Sequence, residues 1–264
     1  MSRDGLVLPE PQAWPMRIFA VWRRHQRVYF KFLVANVIPP FLEPLMLLLA
    51  LGLGLAGYIG SIGGGTYTIF LAPGMIAISA MYSATYETTY GTFIRMEYEK
   101  IHDAILASPT SFLEMFMGEV IWVCCKCSIF SLGVLLVVAS FGLIPSWWAL
   151  LAVPTGFLCG MVFALMGLLV TSQVREINNF NFYMTGIITP MFFFSGVMFP
   201  LDSLPGFLKY ACLCLPLTHV VELMRSFCAG ILEVGLLWHL LVLMGYCAGL
   251  WPVVVTLLRR RIVV

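Results

Sequence analysis

The chain has 264 residues, of which 61% are apolar and 11% charged, with a net charge of +2. Soluble domains are nearer half apolar and a quarter charged, so this composition excludes a water-soluble enzyme, and it is far too apolar for a disordered chain. With a mean hydropathy of +0.95 and no bulk basic field for nucleic acid, the chain reads as an integral membrane protein.

Residues 1–31 carry basic side chains but lack the short apolar core and small-residue cleavage site of a secretory signal. Arg17, Arg23, Arg24, Arg27 and Lys31 alternate with Trp14, Ile18, Phe19, Val21, Trp22 and Tyr29. That pattern predicts an interfacial amphipathic helix within a cytoplasmic N-terminal segment. Residues 32–264 read as one membrane domain. Its apolar runs, bounded by charges and turn residues, predict spans at about Phe32–Tyr58, Ile69–Phe93, Phe112–Phe141, Trp147–Thr171, Phe180–Phe199 and Leu236–Leu258. The expected fold class is therefore all-α with six transmembrane helices. Orientation follows from the basic residues: with the N-terminus inside, 12 of the 15 lie in cytoplasmic segments, so both termini are expected in the cytoplasm.

The connections differ in character. The links after spans one and three are short and uncharged. The link after span two reads R-M-E-Y-E-K-I-H-D-A-I-L, with Tyr98, Ile101 and Ile105 at helical spacing among Glu97, Glu99, Lys100, His102 and Asp103. A short helix lying flat on the cytoplasmic face fits, and headgroup contact alone is the other explanation of its amphipathicity. Between spans five and six, residues 200–235 are too polar to cross and too apolar for a free loop. Pro200, Pro205 and Pro216 cut this stretch into pieces that read as two outer re-entrant helices, or as an ordinary outer loop with an amphipathic helix.

No catalytic constellation is present. Gly52, Gly54 and Gly57 match G-x-G-x-x-G, but in a membrane span, without the strand that a dinucleotide site requires, they read as helix packing. Gly160, Ala164 and Gly167 read the same way. There is no P-loop, no H-E-x-x-H and no G-x-S-x-G. His219 with Glu222 lacks further metal ligands. The eight cysteines read as small packing residues. Intramembrane charges are costly unless paired or functional, which singles out Glu43, Glu87, Glu119 and Lys126. Glu119 and Lys126 are seven apart and share a helix face. A structural pairing of Lys126 with a carboxylate on a neighbouring span and a role near a translocation path both fit. The aromatic run of span five, Phe180 to Phe199, fits lipid contact and core packing, or an apolar path for an acyl chain.

The stretch Thr189–Pro205 (T-P-M-F-F-F-S-G-V-M-F-P-L-D-S-L-P), with Leu215–Arg225, Leu257–Arg261, Phe70–Thr88 and G-E-V-I-W at Gly118–Trp122, resembles the membrane subunits of type 2 ABC exporters. The nearest group is the nodulation lipooligosaccharide (NodJ-like) permeases. The resemblance implies a bacterial inner-membrane permease, not an enzyme, exporting an amphipathic substrate such as a lipid-linked or acylated saccharide. It implies a cytoplasmic coupling helix at 97–106, with Glu97, Tyr98, Lys100, Ile101, Asp103 and Ile105 facing an ATP-binding subunit. It further implies two copies of that subunit, which hold ATP and Mg, a second permease copy in a homodimer, and no cofactor in this chain. A stand-alone secondary transporter or channel would need midplane ion-coupling residues and often an internal repeat. A membrane-embedded lipid-modifying enzyme would need clustered acids and histidines, which only His102 with Asp103 approaches.

Overall fold

The computed structural model describes residues 13–54 and 66–263; the side chain of Glu43, Gly57 and the first outer link lie outside the described set. All regular structure among the described residues is helical. Helix α1 is Trp14–Lys31, α2 Leu33–Gly54 and α3 Tyr67–Tyr98, the last running through π turns at Glu87–Gly91 and Ile94–Tyr98. A short helix α4 (Ile101–Leu106) leads to α5 (Phe112–Ser140) and α6 (Trp147–Thr171). Residues 177–194 form a segmented helix α7, with a π turn at Met184–Ile188. Helices α8 (Gly206–Leu213), α9 (Pro216–Ala229) and α10 (Leu236–Val263) complete the chain.

Local chemistry sets several boundaries. Ser111 and Glu114 form a reciprocal capping box at the start of α5, where the Ser111 amide donates to Glu114 Oε2 at 2.6 Å. Pro216 at the first turn of α9 has no amide hydrogen to leave unsatisfied, and Gly230 ends that helix at φ 77°. Four helices, α3, α5, α6 and α10, are long and apolar enough to cross a membrane, and a fifth span results if the bent pair α8–α9 counts as one. At 1.5 Å per residue the 29 residues of α5 reach about 43 Å, more than the roughly 30 Å hydrocarbon layer. The protein is therefore a multi-pass membrane protein.

Helix α3 is the centre of the bundle: 78% of its apolar stretch is buried, against 17% for α10. Helices α3, α5 and α6 pack together through small residues. A Cβ on Gly160 would lie 2.9 Å from Cys127 Cβ and 3.1 Å from Cys124 Cα, and one on Gly167 would collide with Thr88 Oγ1. Thr171 Oγ1 donates to the Thr88 carbonyl at 2.7 Å, so the close approach also satisfies a backbone group. At the end of α2, Thr68 Oγ1 donates to the Gly52 carbonyl at 3.0 Å.

Helix α1 buries Ile18, Val21 and His25 against α5. Val21 fills the space above Gly118, and the rings of Trp22, His25 and Tyr29 surround Trp122 with centroids 5.5–6.5 Å away. Trp14, Met16, Phe19 and Phe30 remain exposed. One stripe of this amphipathic helix thus faces protein rather than headgroups alone.

Three expectations need correction. Span two does not end at Phe93 but runs on to Tyr98. The helix expected over 97–106 is broken: Lys100 adopts φ 51°, ψ 32°, and only Ile101–Leu106 is a separate helix, with Glu97 and Tyr98 on the end of α3. The break at Lys100 sets α4 apart from α3, and His102 on α4 is buried beside Glu119. Helix α7 ends at Phe194, short of the expected Phe199, because a turn through Gly196 at φ 76° follows.

Candidate functional site

The intramembrane charges converge where α3 and α5 meet above α4. Lys126 Nζ lies 2.8 Å from Glu87 Oε2, and Arg95 Nη1 lies 2.7 Å from Glu87 Oε1. Arg95 Nη2 reaches Glu119 Oε1 at 2.8 Å, and Thr92 Oγ1 donates to the same oxygen at 2.7 Å. Two carboxylates and two cations therefore balance inside the protein, which is the condition for keeping charges in a membrane interior. Gly91 makes the geometry possible. Its missing side chain leaves the guanidinium, 3.2 Å from where a Cβ would stand, free to fold back two turns to Glu87. The π turns on either side lie in the same stretch of α3.

His102 connects this network to α4. It is 2% exposed, and its Nε2 stands 3.4 Å from Glu119 Oε2. Neither ring nitrogen meets hydrogen-bond geometry with another described residue. Around it, Tyr98, Lys100 and Asp103 are exposed, while Ile101 and Ile105 are half-buried. Glu97 is partly occupied: Arg261 of α10 lies 2.7 Å away and Lys100 3.8 Å. Arg261 also donates to the Thr171 carbonyl, so α10 is tied to the ends of α3 and α6. Arg17 of α1 donates to the Pro109 carbonyl at 2.6 Å and lies 3.3 Å from Glu114. The link that follows α4 is thereby tied to α1 through Pro109.

A cavity of about 680 Å³ opens between α1, α3 and α5, with Arg24, His25, Tyr29, Glu87, Arg95 and Lys126 in its wall. Burial, with Arg95 nearby, pushes the His25 imidazole down to about 4, so this ring is neutral at pH 7. Among the described residues no group of three or more His, Cys, Asp or Glu is placed to hold a metal ion.

The proline-cut stretch lies at the opposite end of the bundle, where Tyr67, at the start of α3, donates to the Met198 carbonyl at 3.0 Å. Pro200 precedes a short 3-10 turn, Pro205 caps α8 and Pro216 opens α9, and α8 and α9 meet at 88°. Arg225 of α9 bonds Glu222 at 2.9 Å and the Gly196 carbonyl at 2.8 Å, with its guanidinium 4.1 Å from the Phe70 ring centre.

Of the four acidic and basic residues singled out in the sequence, the structure brings Glu87, Glu119 and Lys126 together; Glu43 falls outside the described side chains. Sequence reasoning missed Arg95 as the hub of the network, along with Thr92, His102 and His25. Arg95 opens the charged link after span two in the sequence, but its side chain is turned inward to Glu87 and Glu119. The E-x-x-x-G-x-x-x-R spacing of Glu87, Gly91 and Arg95 on one helical face was the available signal, and ending span two at Phe93 cut it in two.

These features agree with the comparisons. Residues 16–228 match the family model described as ABC-2 type transporter. The chain is 38% identical over 244 residues to nodulation protein J of Rhizobium leguminosarum bv. trifolii, covering 92% of this chain and 93% of that one. It is 36% identical over 246 residues to nodulation protein J of Rhizobium meliloti (strain 1021), at 92% and 93% coverage. It is 22% identical over 244 residues to the inner membrane transport permease YadH of Escherichia coli (strain K12), at 91% and 94% coverage. The chain belongs to the ABC-2 type transporter family, as a NodJ-like permease. It is a transport permease rather than an enzyme, and membership in this family implies association with an ATP-binding subunit.

Proposed function

We propose that this chain is the membrane subunit of an ATP-driven exporter in a bacterial inner membrane, with six spans and both termini in the cytoplasm. In this reading α2 and α7 supply the two spans beyond α3, α5, α6 and α10. The working unit is a permease homodimer with two ATP-binding subunits, which hold ATP and Mg. The cargo is amphipathic, a lipid-linked or acylated saccharide, moved out of the cytoplasm or inner leaflet. Glu87, Glu119 and Lys126, with Glu43, lie near its path, and the stretch at Pro200, Pro205 and Pro216 forms an outer gate.

The observation that carries the reading is the two-sidedness of the segment 98–106. Tyr98, Lys100 and Asp103 offer an exposed polar and aromatic surface, while His102 beneath them meets Glu119 of the interior network. A push on the exposed side is transmitted to α3 and α5 through Glu119 and Arg95. Closure of an ATPase pair would bias those helices between two packed arrangements, and the permease needs no catalytic residue of its own. Substitution of Lys100→Glu together with Asp103→Lys tests it. The expected result is loss of the ATP-binding subunit on co-purification and loss of export, with the thermal stability of the permease unchanged. Unchanged assembly and export would remove α4 from the interface.

A further inference from the structure

The bend between α8 and α9 is fastened by side chains that satisfy its backbone carbonyls. Helix α8 ends with acceptors that have no intrahelical partner. Thr218 Oγ1 donates to the Cys212 carbonyl at 2.7 Å, His219 Nε2 lies 2.9 Å from the Leu213 carbonyl, and Tyr246 of α10 donates its hydroxyl to the Cys214 carbonyl. His219 is 1% exposed. Its second nitrogen, Nδ1, lies 2.8 Å from Nδ1 of His239, in the first turn of α10, with ring centres 5.0 Å apart.

This geometry determines where the protons sit. A carbonyl oxygen only accepts, so His219 carries its proton on Nε2 and presents a lone pair at Nδ1. His239 must then donate from Nδ1. One added proton can be shared, because His239 can change tautomer and accept the new N–H of His219. A second proton sets two N–H groups of two cationic rings against each other at 2.8 Å, and the contact must open. The surrounding charges leave the pair as the group that responds. Glu222 of α9 acts on both rings and is itself held by Arg225. Lys209 of α8 and Asp202, in the cavity wall beside His239, pair with each other at 2.6 Å. The phenol of Tyr246 is engaged at Cys214, and the thiols of Cys212, Cys214 and Cys228 are free. The wall contributed by α3 and the link 143–145 is apolar, with Phe70, Leu143 and Pro145.

We propose that His219 and His239 form a proton-operated latch that fastens the bent pair α8–α9 to α10 and releases it on acidification. The latch lies at the far end of the bundle from α4 and stands whether or not an ATP-binding subunit docks there.

The test is hydrogen–deuterium exchange of the full-length protein in lipid nanodiscs at pH 7.5 and pH 5, corrected for the intrinsic pH dependence of exchange. Peptides spanning 206–219 are expected to lose protection at least tenfold at pH 5 in the wild type. His239→Gln, which donates to His219 without taking a proton, is expected to keep that protection at pH 5. Protection that is independent of pH in the wild type, or lost equally in both proteins, overturns the proposal. In ¹⁵N-histidine-labelled wild type at pH 7.5, His219 is expected to be protonated at Nε2 and bare at Nδ1; the opposite tautomer also overturns it.

Discussion

Removing the carboxylate of Glu87 is the most informative perturbation of the interior. In Glu87→Gln, Arg95 keeps Glu119 at 2.8 Å, but Lys126 loses its ion-pair partner and is left 8% exposed between the rings of Tyr29 and Phe130, 5.2 and 5.9 Å from their centres. Stranding a buried charge in this way costs about 3–5 kcal/mol, whereas replacing both members of a pair with neutral groups of similar size can be nearly free. At about 2–4 °C per kcal/mol, the single variant should melt roughly 6–20 °C below the wild type. Glu87→Gln combined with Lys126→Met should recover most of that loss. The coupling between the two changes is expected at about 2–3 kcal/mol, at the upper end for residues in contact. Six of the eight cysteines are buried, so a thiol-reactive fluorophore reports unfolding in detergent directly. Additive losses in the double variant would refute the claim that Lys126 depends on Glu87 for its place in the interior.

Two further predictions follow from packing and burial. Gly167→Ala puts a methyl group where Thr88 Oγ1 stands and should cost about 1–3 kcal/mol, while Gly245→Ala, whose Cβ meets nothing within 4 Å, should leave the melting temperature level or slightly raised. His25 is neutral in the folded protein, with its pKa lowered from 6.5 to about 4. The unfolded chain binds the extra proton between those values, so stability is complete above pH 6.5 and falls as the pH drops, by about 2 kcal/mol at pH 5. The stability lost between pH 7.5 and pH 5, measured by chemical unfolding, should be smaller in His25→Leu by that amount.

Much of this architecture is legible in the sequence because a bilayer leaves few options. Apolar runs bounded by charges locate α3, α5, α6 and α10 to within a few residues, and the need to pair buried charges anticipates Lys126 with a carboxylate. Prolines at 205 and 216 mark the starts of α8 and α9 because they cannot continue a helix from within. What was not legible depends on tertiary contact. Nothing local to Lys100 announces a left-handed residue. Arg95 looked like one more cytoplasmic charge because the π turns that carry α3 past Phe93 leave no mark in hydropathy. His219 and His239 are twenty residues apart on different helices, and only the fold puts their nitrogens in contact.

If α4 is the seat of a separate ATP-hydrolysing subunit, that subunit travels with the permease. The direct measurement is purification of the tagged protein in mild detergent, followed by mass spectrometry and an ATPase assay of the recovered material. A P-loop subunit in equal number to the permease is expected, with ATPase activity that the Lys100→Glu, Asp103→Lys variant fails to recover. Recovery of the permease alone, moving substrate in proteoliposomes without ATP, would contradict it.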